Sequence, residues 1–195
     1  MTKFDPSQCN ELKMHQTRIP GLLHFELPVH GDNRGWFKEN YQREKMTSLG
    51  LPADFEVVQN NISYNEKKGV TRGIHAEPWD KFISIGFGRV CAAIVDLRPG
   101  ESFGQLETFE LNPGEAIYVP RGCGNSFQTL EDHTVYTYLV NEHWSPDAQY
   151  VMVNLADETL AIDWPISLDK AEVSDKDKAH PSLAEVKSNG GFIAS

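Results

Sequence analysis

The chain has 195 residues, 39% of them hydrophobic and 24% charged, enough for one domain with a filled core and short extensions. Its formal net charge of −10 argues against non-specific binding to nucleic acid or anionic membranes, which need a basic footprint, while leaving room for a nucleotide held by a few local arginines. Cys9, Cys91 and Cys123 are odd in number and include no C-x-x-C pair, so neither a disulfide framework nor a zinc site is expected. The first residues lack an apolar h-region, and no apolar run approaches about 18 residues, so the expectation is a soluble, cytoplasmic protein without membrane or nucleic-acid partners.

Residues 1–19 are polar without a period and read as an N-terminal arm. After Pro20-Gly21, Leu22 to Leu27 reads as a strand stopped by Pro28, and the turn-rich run from His30 to Gly35 leads into an aromatic extended stretch, Trp36 to Tyr41. Gln42 to Leu49 is a helix closed by Gly50 and Pro52. Val57 to Ser63 reads as a strand carrying Gln59, Asn60 and Asn61, whose amides either face a wet cavity or pair across the sheet. Gly69 to Gly88 reads as a hairpin, with a first strand through Thr71, a turn at Glu77-Pro78-Trp79 and an apolar return strand from Phe82 to Ile85. Val90 to Leu97 is apolar on both parities and therefore covered on both faces. Leu106 to Leu111, Ala116 to Val119, Thr134 to Val140, Tyr150 to Leu155 and Leu160 to Trp164 are further strands, and a charged tail carries a short helix from Ser174 stopped by Pro181. Short strands at intervals of roughly ten residues, divided by Gly, Pro and Asn, indicate an all-β sandwich or barrel. The expected organisation is an arm (1–19), one barrel (20–168) and a tail (169–195).

The densest chemistry lies in Gly69-x5-His75-x-Glu77-x3-Lys81-x6-Gly88, followed by Gly114-x5-Pro120-x-Gly122-x2-Asn125. These spacings resemble the two motifs of the cupin β-barrels, jelly rolls whose His, His, Glu and His hold a metal. Here Glu77, Lys81 and Asn125 replace three of the four ligands. One imidazole beside an ammonium serves a first-row divalent metal poorly, so no metal or other cofactor is expected. A fixed cation in a barrel instead suits proton abstraction beside a carbonyl. Lys81 would hold the enolate charge. His75, with an ordinary pKa near 6.5, would be the base. A phenol on a facing strand would return the proton, and Tyr136 and Tyr138 share one parity of theirs, either both inward or both outward.

The runs GDNRGWFKEN, QNNIS, RGIH, VDLR, SFG, YTYLVN closing on WSP, and AIDWP occur in order from about Pro20 to His180. They resemble the dTDP-4-dehydrorhamnose 3,5-epimerases, cupin-type enzymes that invert C3 and C5 of a dTDP-4-keto-6-deoxy sugar. The resemblance implies His75 as base, paired with Asp177 of the tail, Tyr138 as the opposing acid and Lys81 at the C4 carbonyl. It further implies phosphate and nucleotide contacts from Arg34, Arg72, Gln59 and Asn61, with Phe37 and Glu39 toward the thymine. It also implies a homodimer with exchanged N-terminal strands, some of these contacts coming from the partner. Where the more common family sequence has a His lining the sugar pocket, this chain has Asn125, which hydrogen-bonds a hydroxyl but does not titrate.

Plainer readings compete. Asp177 stands three residues after Ser174, a capping-box spacing that by itself accounts for it. Arg34 and Arg72 read equally as solvated charges, Lys81 as a strand-edge lysine, and Glu77 as a turn residue or a partner to another group. Trp79 either stacks on a base or caps the barrel end. His15, His24, His30, His133, His143 and His180 receive no role.

Overall fold

The computed structural model describes residues 4–9 and 11–192. In chain order the strands and α-helices are β1 (Lys13–Gln16), β2 (Leu23–Glu26), β3 (Val29–Asp32), β4 (Gly35–Lys38), α1 (Arg43–Ser48), β5 (Gln59–Asn65), β6 (Val70–Ala76), β7 (Lys81–Phe87), β8 (Val90–Asp96), β9 (Leu106–Leu111), β10 (Glu115–Val119), β11 (Cys123–Thr129), β12 (Thr134–Val140), β13 (Val151–Met152), β14 (Glu172–Val173), α2 (Asp175–Lys178) and α3 (Leu183–Ser188). One sheet runs β1-β2-β10-β7-β12-β5, the other β13-β6-β11-β8-β9 with β14 added in parallel to β6, and β3 pairs only with β4. This is an all-β jelly roll of the cupin type: the strand spacing indicates a sandwich or barrel, and the motif resemblance implies the cupin form.

Period-two alternation sorts the side chains into three layers. Between the sheets lie Ile83 and Ile85 of β7, Ala92 and Ile94 of β8, Ile117 of β10, Phe127 of β11 and Tyr136 of β12. The opposite parity of β6 and β8, Ile74, Ala76, Ala93 and Val95, packs against Val153, Leu155, Leu160, Trp164, Leu183 and Val186 of the C-terminal segment. The outer face of the first sheet, through Phe25, Phe82 and Tyr118, is covered by Met46 of α1, Leu51 and Phe55. β8 is thus buried along its whole length, as its double parity requires.

Several expectations are corrected. Gly69 to Gly88 is not a hairpin: β6 and β7 belong to different sheets, and the segment between them crosses the barrel wall. The crossing is pinned by Asp80, whose carboxylate accepts from Arg121 N at 2.8 Å and Asn141 Nδ2 at 2.8 Å. Leu160 to Trp164 forms no strand; it folds back so that Trp164 Nε1 donates to the Leu155 carbonyl at 3.1 Å. The strand expected from Tyr150 shrinks to two residues. Part of the presumed arm is the edge strand β1, while β11 and α3 arise in segments that carried no strand or helix signal. No helix among the described residues is long and apolar enough to cross a membrane.

Candidate active site

Arg72 and His75 are three residues apart, so in a regular strand they would face opposite sides of the sheet. They do not. His75 lies opposite Asn125 and Arg72 opposite Phe127, three steps on β6 against two on β11, so the register shifts by one residue. This bulge turns both side chains into the space between the sheets. Gly73 makes it feasible: its φ is +122°, and a Cβ there would stand 2.7 Å from the Asn125 carbonyl oxygen and 2.8 Å from Ser126 Cα. Both obstacles are backbone, so Gly73→Ala is expected to destabilise the fold by about 3 kcal/mol or more. Urea unfolding against the parent measures this; a change under about 1 kcal/mol would mean that the bulge tolerates a side chain.

The resulting cavity, about 230 Å³, is lined by Ser63, Arg72, His75, Glu77, Lys81, Asn125, Phe127, Tyr136 and Tyr138. On one wall, His75 Nε2 approaches Asp177 Oδ1 at 3.0 Å. Asp177 sits in the third position of α2, where its backbone N–H donates to Ser174 Oγ at 3.0 Å. The cap therefore occupies its backbone and leaves its carboxylate free to reach His75, so the two readings of Asp177 coexist. Burial pulls the His75 pKa below its usual value, outweighing the opposing pull of Asp177, so the ring is neutral near pH 7. With Nε2–H donated to the carboxylate, Nδ1 carries the lone pair.

Lys81 opens β7 with inward parity, followed by Ile83 and Ile85 in the core. Its ammonium contacts the Glu77 carboxylate and donates to Asn125 Oδ1, and it lies 5.6 Å from the centre of the Tyr138 ring. The lysine side chain is only 6% accessible, so it is no strand-edge lysine. Burial draws its pKa down to about 7, while the carboxylate in contact favours the charged form. Tyr136 and Tyr138 both face inward. Tyr136 is stacked on Phe127 with ring centres 4.1 Å apart and belongs to the core, whereas Tyr138 stands at the cavity edge, its phenol raised above the usual range mainly by burial. Arg72 Nε donates to Asn65 Oδ1 at 3.1 Å, which aims its guanidinium along the cavity wall.

The other expected residues are dispersed. Gln59 and Asn61 lie on β5 opposite Val140 and Tyr138, with Gln59 Nε2 donating to Asn61 Oδ1 at 2.8 Å, on the same face as the cavity residue Ser63. Arg34 and Phe37 line a separate depression on the β3–β4 hairpin, and Glu39 pairs with Lys45 at 2.5 Å. None of these three reaches the cavity of its own chain. Trp79 is buried, edge-on to Tyr150 with ring centres 5.8 Å apart, so it closes the barrel end. Two further lining residues, Ser63 and Phe127, are not among those the sequence points to. Ser63 shares the parity of Gln59 and Asn61, which is signal enough, whereas Phe127 was hidden because β11 was not recognised.

The sequence model of the dTDP-4-dehydrorhamnose 3,5-epimerase family matches residues 16–185. The chain is 49% identical over 193 residues, 95% of each chain, to a protein from Streptococcus pyogenes serotype M6 described as an RmlC homolog. It is 32% identical over 181 residues, 89% of this chain and 97% of the relative, to the dTDP-4-dehydrorhamnose 3,5-epimerase of Pseudomonas aeruginosa. Its fold superposes with a TM-score of 0.86 on Streptococcus suis RmlC, solved in complex with dTDP-D-xylose, at 48% identity over 90% of this chain and 93% of that one. An imidazole–carboxylate pair facing an ammonium and a phenol thus sits on a jelly roll shared with these proteins, and the chain belongs to the dTDP-4-dehydrorhamnose 3,5-epimerase family.

Proposed function

We propose that this chain epimerises C3 and C5 of a dTDP-4-keto-6-deoxy sugar, the step that leads from dTDP-4-keto-6-deoxyglucose toward dTDP-L-rhamnose. The observation that carries this reading is the placement of His75 with Asp177, Lys81 with Glu77, and Tyr138 around one cavity. His75 Nδ1 removes the proton from the carbon beside the ketone, and the electron pair moves onto O4 as an enolate. The Lys81 ammonium stabilises that oxyanion, and the Tyr138 hydroxyl delivers a proton to the opposite face. Asp177 holds the imidazole orientation and balances its charge while it carries the proton. Asn125, bound to the Lys81 ammonium, helps set its position; after His75 releases its proton to solvent and Tyr138 takes one up, a turn of the sugar presents the second carbon to the same base.

Arg72, Gln59 and Asn61 extend from the cavity along β5 and β6 and suit the pyrophosphate and nucleoside. Arg34 and Phe37 lie on, and Glu39 directly follows, the β3–β4 hairpin, which stands apart from both six-stranded sheets among the described residues, and we assign them to the cavity of a second copy. A homodimer is further supported by Ile62, Tyr64 and Phe87, an exposed apolar stripe on the outer face of β5 and β7.

Incubation with dTDP-4-keto-6-deoxyglucose in deuterium oxide is expected to label both C3 and C5. Label at C3 alone would make the enzyme a mono-epimerase, and no label would make the chain a nucleotide-sugar binder. Glu77→Gln gives a second test. It removes the carboxylate that opposes the burial effect, so the alkaline limb of kcat/KM is expected to move to lower pH, while the acid limb set by His75 stays in place. An unmoved alkaline limb would show that Lys81 does not titrate under control of Glu77.

A further inference from the structure

His180 has no part in the reaction above, yet its place is unusual. Its side chain is 7% accessible, and among the described residues neither ring nitrogen has a hydrogen-bond partner. Buried polar atoms left in this way are uncommon and call for an explanation. His180 Nε2 stands 3.6 Å from Asp177 Oδ1, the same oxygen that His75 Nε2 approaches at 3.0 Å. The two imidazoles meet edge to face, with centres 5.4 Å apart. One donor atom from each of His75, Asp177 and His180 lies within 4.8 Å of the other two.

We propose that His75, Asp177 and His180 form a binding site for one divalent cation of the zinc type, and that its occupation silences the enzyme. Nitrogen and carboxylate donors at about 2.0–2.1 Å around a tetrahedral ion stand about 3.3 Å apart. The observed separations from the shared oxygen, 3.0 and 3.6 Å, bracket that figure. Two imidazoles and a carboxylate select Zn²⁺, Co²⁺ and Ni²⁺ over Mg²⁺ and Ca²⁺, which take oxygen ligands. A water facing the cavity would complete the shell.

The silencing follows from the single proton of a neutral imidazole. At rest it sits on Nε2, shared with Asp177, and the Nδ1 lone pair serves as base. A cation bound to Nε2 moves that proton to Nδ1, so no lone pair remains for the sugar and Asp177 is lost as orienting partner. No net proton need leave. This half of the proposal rests on His75 being the base; the binding half does not.

Metal-free protein is titrated with Co²⁺, following the visible d–d band, then with Zn²⁺ in competition. One Co²⁺ per chain with a tetrahedral-type band is expected, displaced by Zn²⁺ and not by excess Mg²⁺. His180→Asn and His180→Gln, checked by circular dichroism, are expected to weaken binding at least about tenfold. In the unaltered protein, the imidazole ¹⁵N resonances of His75 and His180 are expected to move on Zn²⁺ addition. Saturating Zn²⁺ is expected to abolish deuterium uptake into the sugar, and a chelator to restore it. No band, equal affinity in the folded His180 variants, or movement of other histidines would overturn the site. Binding that leaves deuterium uptake intact would keep the site but overturn the silencing, and with it His75 as the base.

Discussion

His75→Ala is expected to lower kcat by about 10³-fold or more while changing KM for the sugar nucleotide by less than about threefold. In the proposed arrangement His75 acts on the sugar while Arg72, Gln59 and Asn61 hold the nucleotide, so its loss should remove the base and leave those contacts in place. The variant should also stop deuterium uptake at both carbons, since one lone pair serves both. Asp177→Asn makes the complementary case: the amide offers an N–H in place of an acceptor and favours the wrong tautomer of His75, so a loss of similar kind and smaller size is expected. Steady-state rates with folding checked by circular dichroism decide the matter. A folded His75→Ala enzyme turning over within about tenfold of the parent would remove the base from the mechanism.

Lys81→Met carries the second large effect, on rate and stability together. Loss of the ammonium removes the charge that holds the enolate, an effect of about 10²–10³ in kcat. It also strands Glu77, a largely shielded carboxylate (15% accessible) paired with that ammonium, and breaking such a pair costs up to about 3–5 kcal/mol. The double variant Lys81→Met with Glu77→Gln separates the two effects. It should recover most of the stability, because no bare charge remains, and none of the rate. Chemical denaturation and kcat on the four members of this cycle give both answers. Recovery of rate in the double variant would mean that Lys81 serves only to neutralise Glu77.

Much of the arrangement was legible from residue order. Gly69, His75, Lys81 and Gly88 mark the two strands that carry the proposed base and cation, and the double-sided apolarity of Val90 to Leu97 places β8 between two packed layers. What alternation does not encode is a strand's partner. β6 and β7 follow each other so closely that a hairpin was the natural expectation, yet they wall opposite sides of the cavity, which is why His75 and Lys81 face the same space. β11 gives no strand signal because Cys-Gly-Asn-Ser reads as turn chemistry; its pairing with β8 along seven residues and with β6 on its other side makes it a strand. β1 was overlooked for the opposite reason: its Lys13 to Gln16 sit at a sheet edge where polar side chains cost nothing. The bulge at Gly73 leaves a trace in the Arg-Gly-Ile-His order, but the turning of Arg72 and His75 to one side emerges only from the register. For Arg34, Phe37 and Glu39 the residues stand far from the cavity of their own chain, so a sequence correspondence carried more than the single fold does.

Asp177 lies 102 residues beyond the imidazole it steadies, on a segment whose apolar side chains also roof the second sheet. During synthesis the wall bearing His75 leaves the ribosome long before that roof exists. A nascent chain with its strands already paired would hold the imidazole without its carboxylate, and any truncation between Pro165 and Ser174 would freeze that immature condition. In the proposed mechanism, turnover would therefore report that the segment bearing Asp177 has docked on the sheet.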